Sequence, residues 1–270
     1  MRVVALVKHV PDIQSARSFG EDGLLRRGGG DDTLNELDED ALEAALRLVE
    51  GAPPAGEDAP GHDLTVLTVG PAGAVEALRR GLAMGATTAV HVQDDAVGGS
   101  DAIATARVLA AAVRHLHAQA PVDVVVAGMA ALDGLTSLVP AALAAALDWP
   151  QLTLADRIEV ADGVVAVHRE TSTHSEELSA PTPAVLSVTD QAFRARFPDF
   201  KGIMAARKKP VTTLDLAALG LRADEVGLPG SATTVVEAVP RPERPDRILV
   251  TDDGDAFVAL AEYLAQKGFA

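Results

Sequence analysis

The sequence predicts an α/β fold, in which helices cover both faces of a parallel sheet, and three observations support it. Short runs rich in β-branched residues alternate with longer Ala- and Leu-rich runs of helical periodicity. The short runs are almost continuously apolar, as is typical of parallel strands buried on both faces. The chain has 270 residues, 48% of them hydrophobic, and so can bury a sizeable core. Alternation of this kind is typical of crossover connections within one sheet.

Five strands and three helices are predicted within residues 1–188. The strands are expected at residues 2–7, 64–69, 89–92, 122–127 and 184–188. The helices are expected at residues 38–50, 71–84 and 101–119. The first helix has an apolar face of Ala41, Leu42, Ala45, Leu46 and Val49, and a polar face of Glu39, Asp40, Glu43 and Arg47. Pro71 suits a first helical turn, Gly85 suits a C-terminal cap, and Ser100 suits an N-cap.

The pattern changes after Trp149. Two alternating runs joined by Asp162 and Gly163 predict a β-hairpin. Residues 20–32 and 52–61 are expected to be surface loops, and the proline-rich residues 240–246 an extended linker. Residues 247–270 are expected to form a short strand and a last amphipathic helix. We therefore predict an α/β domain over residues 1–235, followed by a linker and C-terminal arm over residues 236–270.

Composition excludes several classes of function. The 23 Lys and Arg against 39 Asp and Glu give a formal net charge of −16, which argues against nucleic acid or an anionic membrane as the main partner. Cysteine is absent, so disulfides and thiol chemistry are excluded. No run is long and apolar enough to cross a bilayer, and the N-terminus lacks the pattern of a signal peptide. We expect a cytoplasmic protein without direct membrane insertion.

The residues that follow the predicted strands are candidates for a ligand site, because ligands of open α/β sheets bind at the strand ends. The most suggestive segment, "AGMAALDGLTS", is a glycine-bearing loop that leads into a helix, where backbone amides favour a phosphate. The alternative is an ordinary turn between strand and helix. The P-loop and GxGxxG motifs are missing. The seven His residues lack the spacing of a helical metal pair, and no nucleophile with its base is recognisable, so we expect no metal and no catalytic residues.

One basic and aromatic segment, "RARFPDFKGIMAARKKP", stands out in this acidic chain. Six basic residues lie within the sixteen positions 194–209, and Phe193, Phe197 and Phe200 are half of the six Phe residues. Taken without other information, Phe200 is better interpreted as a core residue at a strand end, beside a surface run of charges.

This segment, extended through "VTTLDLAALGL", closely resembles the signature region of the electron transfer flavoprotein β subunit. Further matching segments are "LVKHVPD", "LNELDEDALEAALRLVE", "LTVLTVGP", "ALRRGLAMGATTAVHV", "DVVVAGMAALDG", "LDWPQLT" and "PAVLSV". The resemblance covers nearly the whole chain. It implies a Rossmann-like fold of the adenine nucleotide alpha hydrolase-like type.

The resemblance also implies a function. In this family an α and a β subunit form a heterodimer that carries one FAD, held mostly by α. The complex accepts electrons from acyl-CoA dehydrogenases and related flavoenzymes of fatty acid oxidation and passes them to a quinone reductase. The β subunit binds AMP and helps to cover the flavin, so it is an electron carrier subunit and not an enzyme in its own right.

The site residues follow from the matching motifs. The resemblance implies an AMP site formed by Leu6, Asn35, Glu36, Leu37, Asp38, Val69, Gly128, Met129, Ala130, Ala131, Leu132, Asp133, Gly134, Thr136, Ser137, Leu138 and Val139. It places Ile13 and Leu37 near FAD. Many members have Asn-Gln-Thr at the helix entry, where this chain has Leu135-Thr136-Ser137-Leu138-Val139, so the hydroxyl of Thr136 or Ser137 is expected to replace the missing one.

The basic segment resembles the family's recognition loop, which spans residues 193–209 and docks on the dehydrogenase. Phe200 matches the apolar anchor, and Lys201, Arg194 and Arg196 are expected to pair with an acidic rim on the partner. Two rival functions stay open. One is a bifurcating β subunit, with FAD in the AMP site and NADH-linked chemistry. The other is a stand-alone adenine-nucleotide-binding module.

Overall fold

Strands and helices alternate along the chain in the computed structural model, which describes residues 1–54, 61–239, 241–242 and 248–269. Within these residues the strands are β1 (Arg2–Leu6), β2 (His9–Pro11), β3 (Asp32–Leu34), β4 (Asp63–Val69), β5 (Thr88–Val92), β6 (Val124–Gly128), β7 (Gln151–Ala155), β8 (Arg157–Ala161), β9 (Val164–Glu170), β10 (Ser175–Pro181), β11 (Ala184–Val188) and β12 (Thr212–Leu214). The helices are α1 (Glu36–Gly51), α2 (Val75–Met84), α3 (Ala102–Gln119), α4 (Val139–Leu147), α5 (Phe200–Ala206), α6 (Gly227–Gly230) and α7 (Ala256–Gln266). Short 3-10 turns occupy Ala72–Ala74, Asp95–Val97 and Ala223–Glu225.

Seven strands form one sheet in the order β12-β5-β4-β1-β6-β11-β7, and every neighbouring pair is parallel. All five strands predicted from apolar runs belong to this sheet, with ends that differ from the prediction by at most two residues. The predicted α/β class is therefore confirmed.

The sheet is covered on both faces. Val3 and Ala5 of β1 belong to a core cluster with residues of α1 and α2, while Val4 and Leu6 belong to a second cluster with residues of α3 and α4. Successive strand residues point to opposite faces, so these clusters lie on the two sides of the sheet. Burial on both sides explains why the strand sequences are almost continuously apolar.

A separate antiparallel sheet contains β8, β9 and β10. The predicted hairpin between β8 and β9 is confirmed: Asp162 and Gly163 have φ of 51° and 74°, the left-handed values that a two-residue turn of this kind requires. Strand β10 was not expected from the sequence, because "SEELSAP" has few β-formers. Its Leu178 and Ala180 pack against the core cluster that contains α1.

Helix α1 differs from its prediction in two ways. It begins at Glu36, two residues earlier than expected. Glu43, which is predicted on the polar face, is buried with 2% of its surface exposed. Arg47 and Arg196 hydrogen-bond to its carboxylate, and this pairing makes its burial tolerable.

The helix-start predictions are partly wrong. A 3-10 turn, not an α-helical turn, follows Pro71, and α2 begins only at Val75. Helix α3 is capped by Asp101, whose carboxylate accepts the Ala104 amide at 2.8 Å, and not by Ser100. The Ser100 hydroxyl accepts the amide of Gly227 at 2.8 Å. The stop at Gly85 is confirmed, with φ of 137° and its amide bonded to Gly81.

The chain divides into two units, Met1–Val236 and Glu237–Ala270. In the second unit α7 is present, but residues 248–250 form no strand, because no neighbouring strand in the described residues pairs with them. Most of the predicted linker, at 240 and 243–246, and most of the predicted loop, at 55–60, lie outside the described residues. No helix among the described residues is long and apolar enough to cross a membrane.

Candidate functional site

The strand order creates a switch point beside β1. The chain leaves β1 for β4 on one side and later enters β6 on the other side. The carboxyl ends of three adjacent strands, at Leu6, Val69 and Gly128, therefore lie next to one another. Ligands of open α/β sheets bind in the crevice at such a point. The structure thus brings together three residues that were predicted from separate parts of the sequence.

Asn35, at the start of α1, ties this helix to the loop after β6. The residue is fully buried, its side-chain nitrogen donates to the Ala130 carbonyl at 3.0 Å, and its side-chain oxygen accepts the Leu132 amide at 3.0 Å. Gly128 permits the close approach of the two segments, since an added Cβ would lie 2.6 Å from Asp38 Oδ1 and 2.7 Å from the Leu37 carbonyl oxygen. The sequence-predicted segments at residues 35–38 and 128–134 are therefore one physical unit.

Asp38 is buried behind this loop. Its Oδ2 accepts the Lys8 amide at 2.8 Å. Burial raises the pKa of Asp38 to about 7, although hydrogen bonds from Asn35, Lys8 and Gly128 partly offset that effect. Near neutral pH the site therefore holds a carboxyl group that is only partly charged.

Asp133 is held by two cations that sequence reasoning missed. The side chain of Asp133 is 0% exposed, and its Oδ2 lies 2.8 Å from Lys8 Nζ and 2.7 Å from Arg27 Nη2. These partners, together with their hydrogen bonds, outweigh burial and keep the pKa of Asp133 below its usual value. Because Lys8 and Arg27 lie more than a hundred residues from Asp133, no local sequence pattern indicates the pairing. Lys8 thereby fixes the loop after β6 to the end of β1, and Arg27 fixes it to the segment between β2 and β3.

The entry to α4 is exposed and conformationally unusual. Residues 134–138 are exposed, and Leu135 and Ser137 have φ of 50° and 49°. Leu138, which follows the left-handed Ser137, has right-handed helical angles. A positive-φ residue next to a right-handed one is the backbone sequence of an anion-binding nest, in which successive amides face one ligand. The backbone here is therefore compatible with a nest, beside the hydroxyls of Thr136 and Ser137.

The remaining predicted ligand-site residues lie in the loop after β6, at the start of α4, in the first turn of α1 and after β2. Met129 and Ala131 are half-buried in the loop, Val139 begins α4, and Glu36 is exposed in the first turn of α1. Leu37 is half-buried, and Ile13 is 45% exposed beyond β2. Both aliphatic side chains offer packing surface.

The basic and aromatic segment is not a continuous loop, because it contains α5. Asp199 caps this helix by accepting the Gly202 amide at 2.6 Å. Phe200, in its first turn, is 78% exposed, and Phe197 is 83% exposed. The alternative that Phe200 is a core residue is therefore wrong for this chain.

The basic residues of this segment differ in their environment. Arg196 turns its guanidinium toward α1, where it pairs with Glu43 at 2.7 Å and Glu50 at 2.6 Å, so its charge is already compensated within the chain. Within the described residues, Arg194 and Lys201 form no ion pair. Arg196, one of the three cations predicted to contact a partner, is thus paired with carboxylates of α1 instead.

Asp156, His168 and Glu170 form a group of possible metal ligands on the solvent face of the three-stranded sheet. His168 Nδ1 lies 2.6 Å from Asp156 Oδ1, and Nε2 lies 2.7 Å from Ser175 Oγ. Both ring nitrogens therefore have hydrogen-bond partners within the chain. This geometry is that of a hydrogen-bonded chain of side chains.

Comparisons with known proteins point to one family. Residues 23–219 match the family model described as "Electron transfer flavoprotein domain". The chain is 41% identical over 267 residues to a Mycobacterium tuberculosis protein named "Electron transfer flavoprotein subunit beta", with 98% of each chain covered. It is 32% identical over 270 residues to a protein of the same name from Megasphaera elsdenii, covering 99% of this chain and 97% of that one. It is 33% identical over 251 residues to "Caffeyl-CoA reductase-Etf complex subunit CarD" from Acetobacterium woodii, covering 93% and 92%.

Proposed function

Because the chain belongs to the electron transfer flavoprotein family, and the Mycobacterium tuberculosis and Megasphaera elsdenii relatives that match it over nearly full length are named β subunits, we propose that it pairs with an α subunit in a heterodimer that holds one FAD. The heterodimer takes electrons from acyl-CoA dehydrogenases and related flavoenzymes and delivers them to a quinone reductase. This chain is a carrier subunit: it shapes the flavin site and presents the surface on which the dehydrogenase docks.

In this proposal AMP occupies the crevice at the ends of β4, β1 and β6. The observation that carries the proposal is the unit formed by Asn35, Gly128 and the loop that they fix at the switch point. The nest at Ser137 and Leu138 suits a phosphate, and it does so through backbone amides. The departure from the family's Asn-Gln-Thr step therefore leaves an anion site in place.

The chemistry of electron transfer belongs to the FAD, which the α subunit mostly holds. The residues of this chain bind and orient. Leu37 and Ile13 supply apolar contact on the flavin's β side, and Lys8 and Arg27 keep Asp133 ionised and paired near the nucleotide.

Docking is assigned to Phe200, with Arg194 and Lys201 at the rim. The Phe200→Ala substitution should slow electron acceptance from an acyl-CoA dehydrogenase by about tenfold or more, because a single buried aromatic anchor commonly contributes 2 kcal/mol or more. FAD content should stay unchanged, since the side chain is 78% exposed and packs on no cofactor in this proposal. Stopped-flow flavin reduction measures the rate, and reduction at the wild-type rate would remove Phe200 from the docking site.

A bifurcating subunit is the second candidate. The observation that favours it is the 33% identity to a subunit of a caffeyl-CoA reductase complex. In that function the crevice would hold a second FAD in place of AMP and take part in NADH-linked redox chemistry. A stand-alone adenine-nucleotide module is the third candidate, and the exposed apolar residues of α7 speak against it.

The test is to co-express the chain with its α partner, purify the complex and quantify the released nucleotides by chromatography. One FAD and one AMP per heterodimer would support the carrier. Two FAD and no AMP would support the bifurcating subunit. A folded chain that binds adenine nucleotide but captures no α subunit would support the stand-alone module.

A further inference from the structure

The segment from Phe193 to Lys209 is fastened to the body of the first unit at both ends. At its far end, Arg79 of α2 donates to the Ala206 carbonyl at 2.7 Å and to the Lys209 carbonyl at 2.5 Å. The Lys209 ammonium donates to the Ala86 carbonyl at 2.5 Å. These contacts hold the end of α5 against α2 and its following turn.

The near end is fastened by Arg196. Its Nε and Nη2 donate to the two oxygens of Glu43 at 2.7 and 3.1 Å, and its Nη1 and Nη2 donate to the two oxygens of Glu50 at 2.6 and 2.9 Å. Each carboxylate thus receives the two parallel hydrogen bonds of a fork-shaped guanidinium contact, which is the strong and geometrically specific form. Both carboxylates belong to α1.

Burial makes this contact stronger than an ordinary surface ion pair. Glu43 is 2% exposed, and removing its partners would leave a desolvated charge. Arg196 and Arg47 lower the pKa of Glu43 against the opposing effect of burial. Arg47 also lies over the Phe193 ring, 5.2 Å from its centroid, which fixes the residue where the segment begins.

Between these two fastened ends the apolar side chains stay outside. Phe197 and Phe200 are 83% and 78% exposed, so neither contributes to a core that could hold the segment in place. Helix α5 has seven residues, too few for a stable helix in isolation. The conformation of the aromatic pair therefore depends on its flanks, where the ionic contacts act together with the buried Ala206 and the close packing of Gly202 on α2.

We propose that Arg196 is a positioning residue for partner docking: it holds Phe197 and Phe200 in a preformed arrangement and does not itself touch the partner. This inference rests on the proposed function, in which the segment docks on a dehydrogenase. A preformed anchor avoids the ordering cost that a mobile segment pays when it binds. Loss of Arg196 therefore weakens docking through the two aromatic residues.

The test is a double-mutant cycle on the co-expressed heterodimer with an acyl-CoA dehydrogenase as electron donor. Arg196→Ala should raise the apparent KM for the carrier about tenfold and change kcat less than twofold. In the Phe200→Ala background, Arg196→Ala should add less than a twofold further increase, because the anchor that it positions is already gone. Arg196→Lys should restore only part of the loss, since lysine lacks the fork.

Two further variants and one independent measurement complete the design. Arg222→Ala removes another paired arginine, whose partners Asp224 and Glu225 are its near neighbours, and should leave KM unchanged. Glu50→Gln weakens the contact between Arg196 and Glu50, whose carboxylate is 54% exposed. It should raise KM severalfold while the chain still folds. Limited chymotrypsin digestion should cut after Phe200 faster in Arg196→Ala than in wild type, whereas the bond between Phe197 and Pro198 resists this protease in both.

The outcomes separate the inference from the proposed function. If Phe200→Ala alone leaves KM unchanged, the docking assignment fails. If Phe200→Ala raises KM but Arg196→Ala and Glu50→Gln do not, the positioning role of Arg196 is wrong. If the two fold-increases in KM multiply in the double variant, Arg196 acts on the partner independently of Phe200, and this also overturns the inference.

Discussion

At the scale of single residues, the protonation of Asp38 in the candidate site is linked to the free energy of unfolding. Its pKa is raised to about 7 from 3.8 by burial, so the folded protein binds this proton more tightly than the unfolded chain does. The stabilising contribution is complete below pH 3.8 and is lost as the pH rises through about 7. An amide at this position would not titrate, while keeping an oxygen to accept the Lys8 amide.

We predict that Asp38→Asn gains stability relative to wild type as the pH rises from 4 to 8. The relative gain should be at most about 4 kcal/mol, since each pKa unit corresponds to about 1.4 kcal/mol. Urea unfolding at several pH values measures it. Glu36→Gln, an acid-to-amide change at an exposed position of the same helix, is the matched control and should show no such trend. Parallel pH profiles for Asp38→Asn and wild type would contradict the raised pKa.

Substitutions of Ser137 distinguish whether backbone amides or the Ser137 hydroxyl bind the AMP phosphate. If backbone amides hold it, Ser137→Gly should keep AMP within about fivefold of wild-type affinity, because glycine adopts φ of 49° readily. Ser137→Pro fixes φ near −65° and should remove AMP from the purified heterodimer. Nucleotide release and chromatography measure both. Loss of AMP from the glycine variant as well would assign the contact to the hydroxyl.

Asn35 and Gly128 are predicted as site residues from their motifs, and the structure brings their two segments into contact. Their part in binding AMP stays a prediction. The burial of Glu43 is not foreseen, because Arg196 is 153 residues away. Sequence periodicity assigns a charged residue to the solvent side, and only the folded chain reveals the distant partner that allows its burial.

At the scale of elements, Gly202 sets how closely α5 approaches α2. An added Cβ there would lie 2.6 Å from the Ala83 carbonyl oxygen, which belongs to the backbone of α2 and cannot move aside alone. We predict that Gly202→Ala lowers the free energy of unfolding by about 1 to 3 kcal/mol through overpacking. It should also raise the KM for the carrier, because α5 must shift.

The control for this change is Gly51→Ala. An added Cβ at Gly51, in the last turn of α1, meets no atom within 4 Å, so alanine should be neutral or stabilising there. Denaturant unfolding and dehydrogenase kinetics compare the two variants. Equal stability of both would show that α5 tolerates displacement from α2.

Strands that are buried along their whole length were easier to predict from the sequence than strands at the edges of the sheet. Strands such as β6 and β11, buried at every position, have the continuous apolar runs of a central parallel strand. Strand β7 is buried at only two of its five positions and β12 has only three residues, so neither carries that pattern. Both lie at the edges of the sheet, where one side lacks a neighbouring strand. Pairing with the preformed sheet, and not local preference, makes them strands.

At the scale of the whole molecule, the two units have different roles in stability. Every buried residue of the two core clusters lies at or before Val226, inside the first unit. The second unit exposes Phe257, Leu260 and Phe269 at 71%, 58% and 79%. Exposed apolar side chains on α7 and just after it indicate a surface that a partner covers, and the α subunit is the partner that we propose.

We predict that deletion of residues 237–270 leaves the first unit folded, with a melting temperature within about 5 °C of the intact chain, and abolishes pairing with the α subunit. Co-purification and thermal unfolding measure the two effects. Leu260→Asp in the intact chain should weaken pairing with no deletion at all. Full pairing of the deleted chain would show that the arm is not needed for assembly.

The ionic contacts at the ends of the basic segment have a consequence for engineering. Arg196 and Lys209, together with the bonds from Arg79 of α2, attach the flanks of the segment to the rest of the first unit, while Phe197, Phe200 and Lys201 are exposed. The outward-facing side chains between the flanks contribute little to that attachment. The outward-facing positions can therefore be exchanged among related chains to redirect the choice of redox partner, with Asp199 and Gly202 retained so that every inserted stretch begins from the same helix.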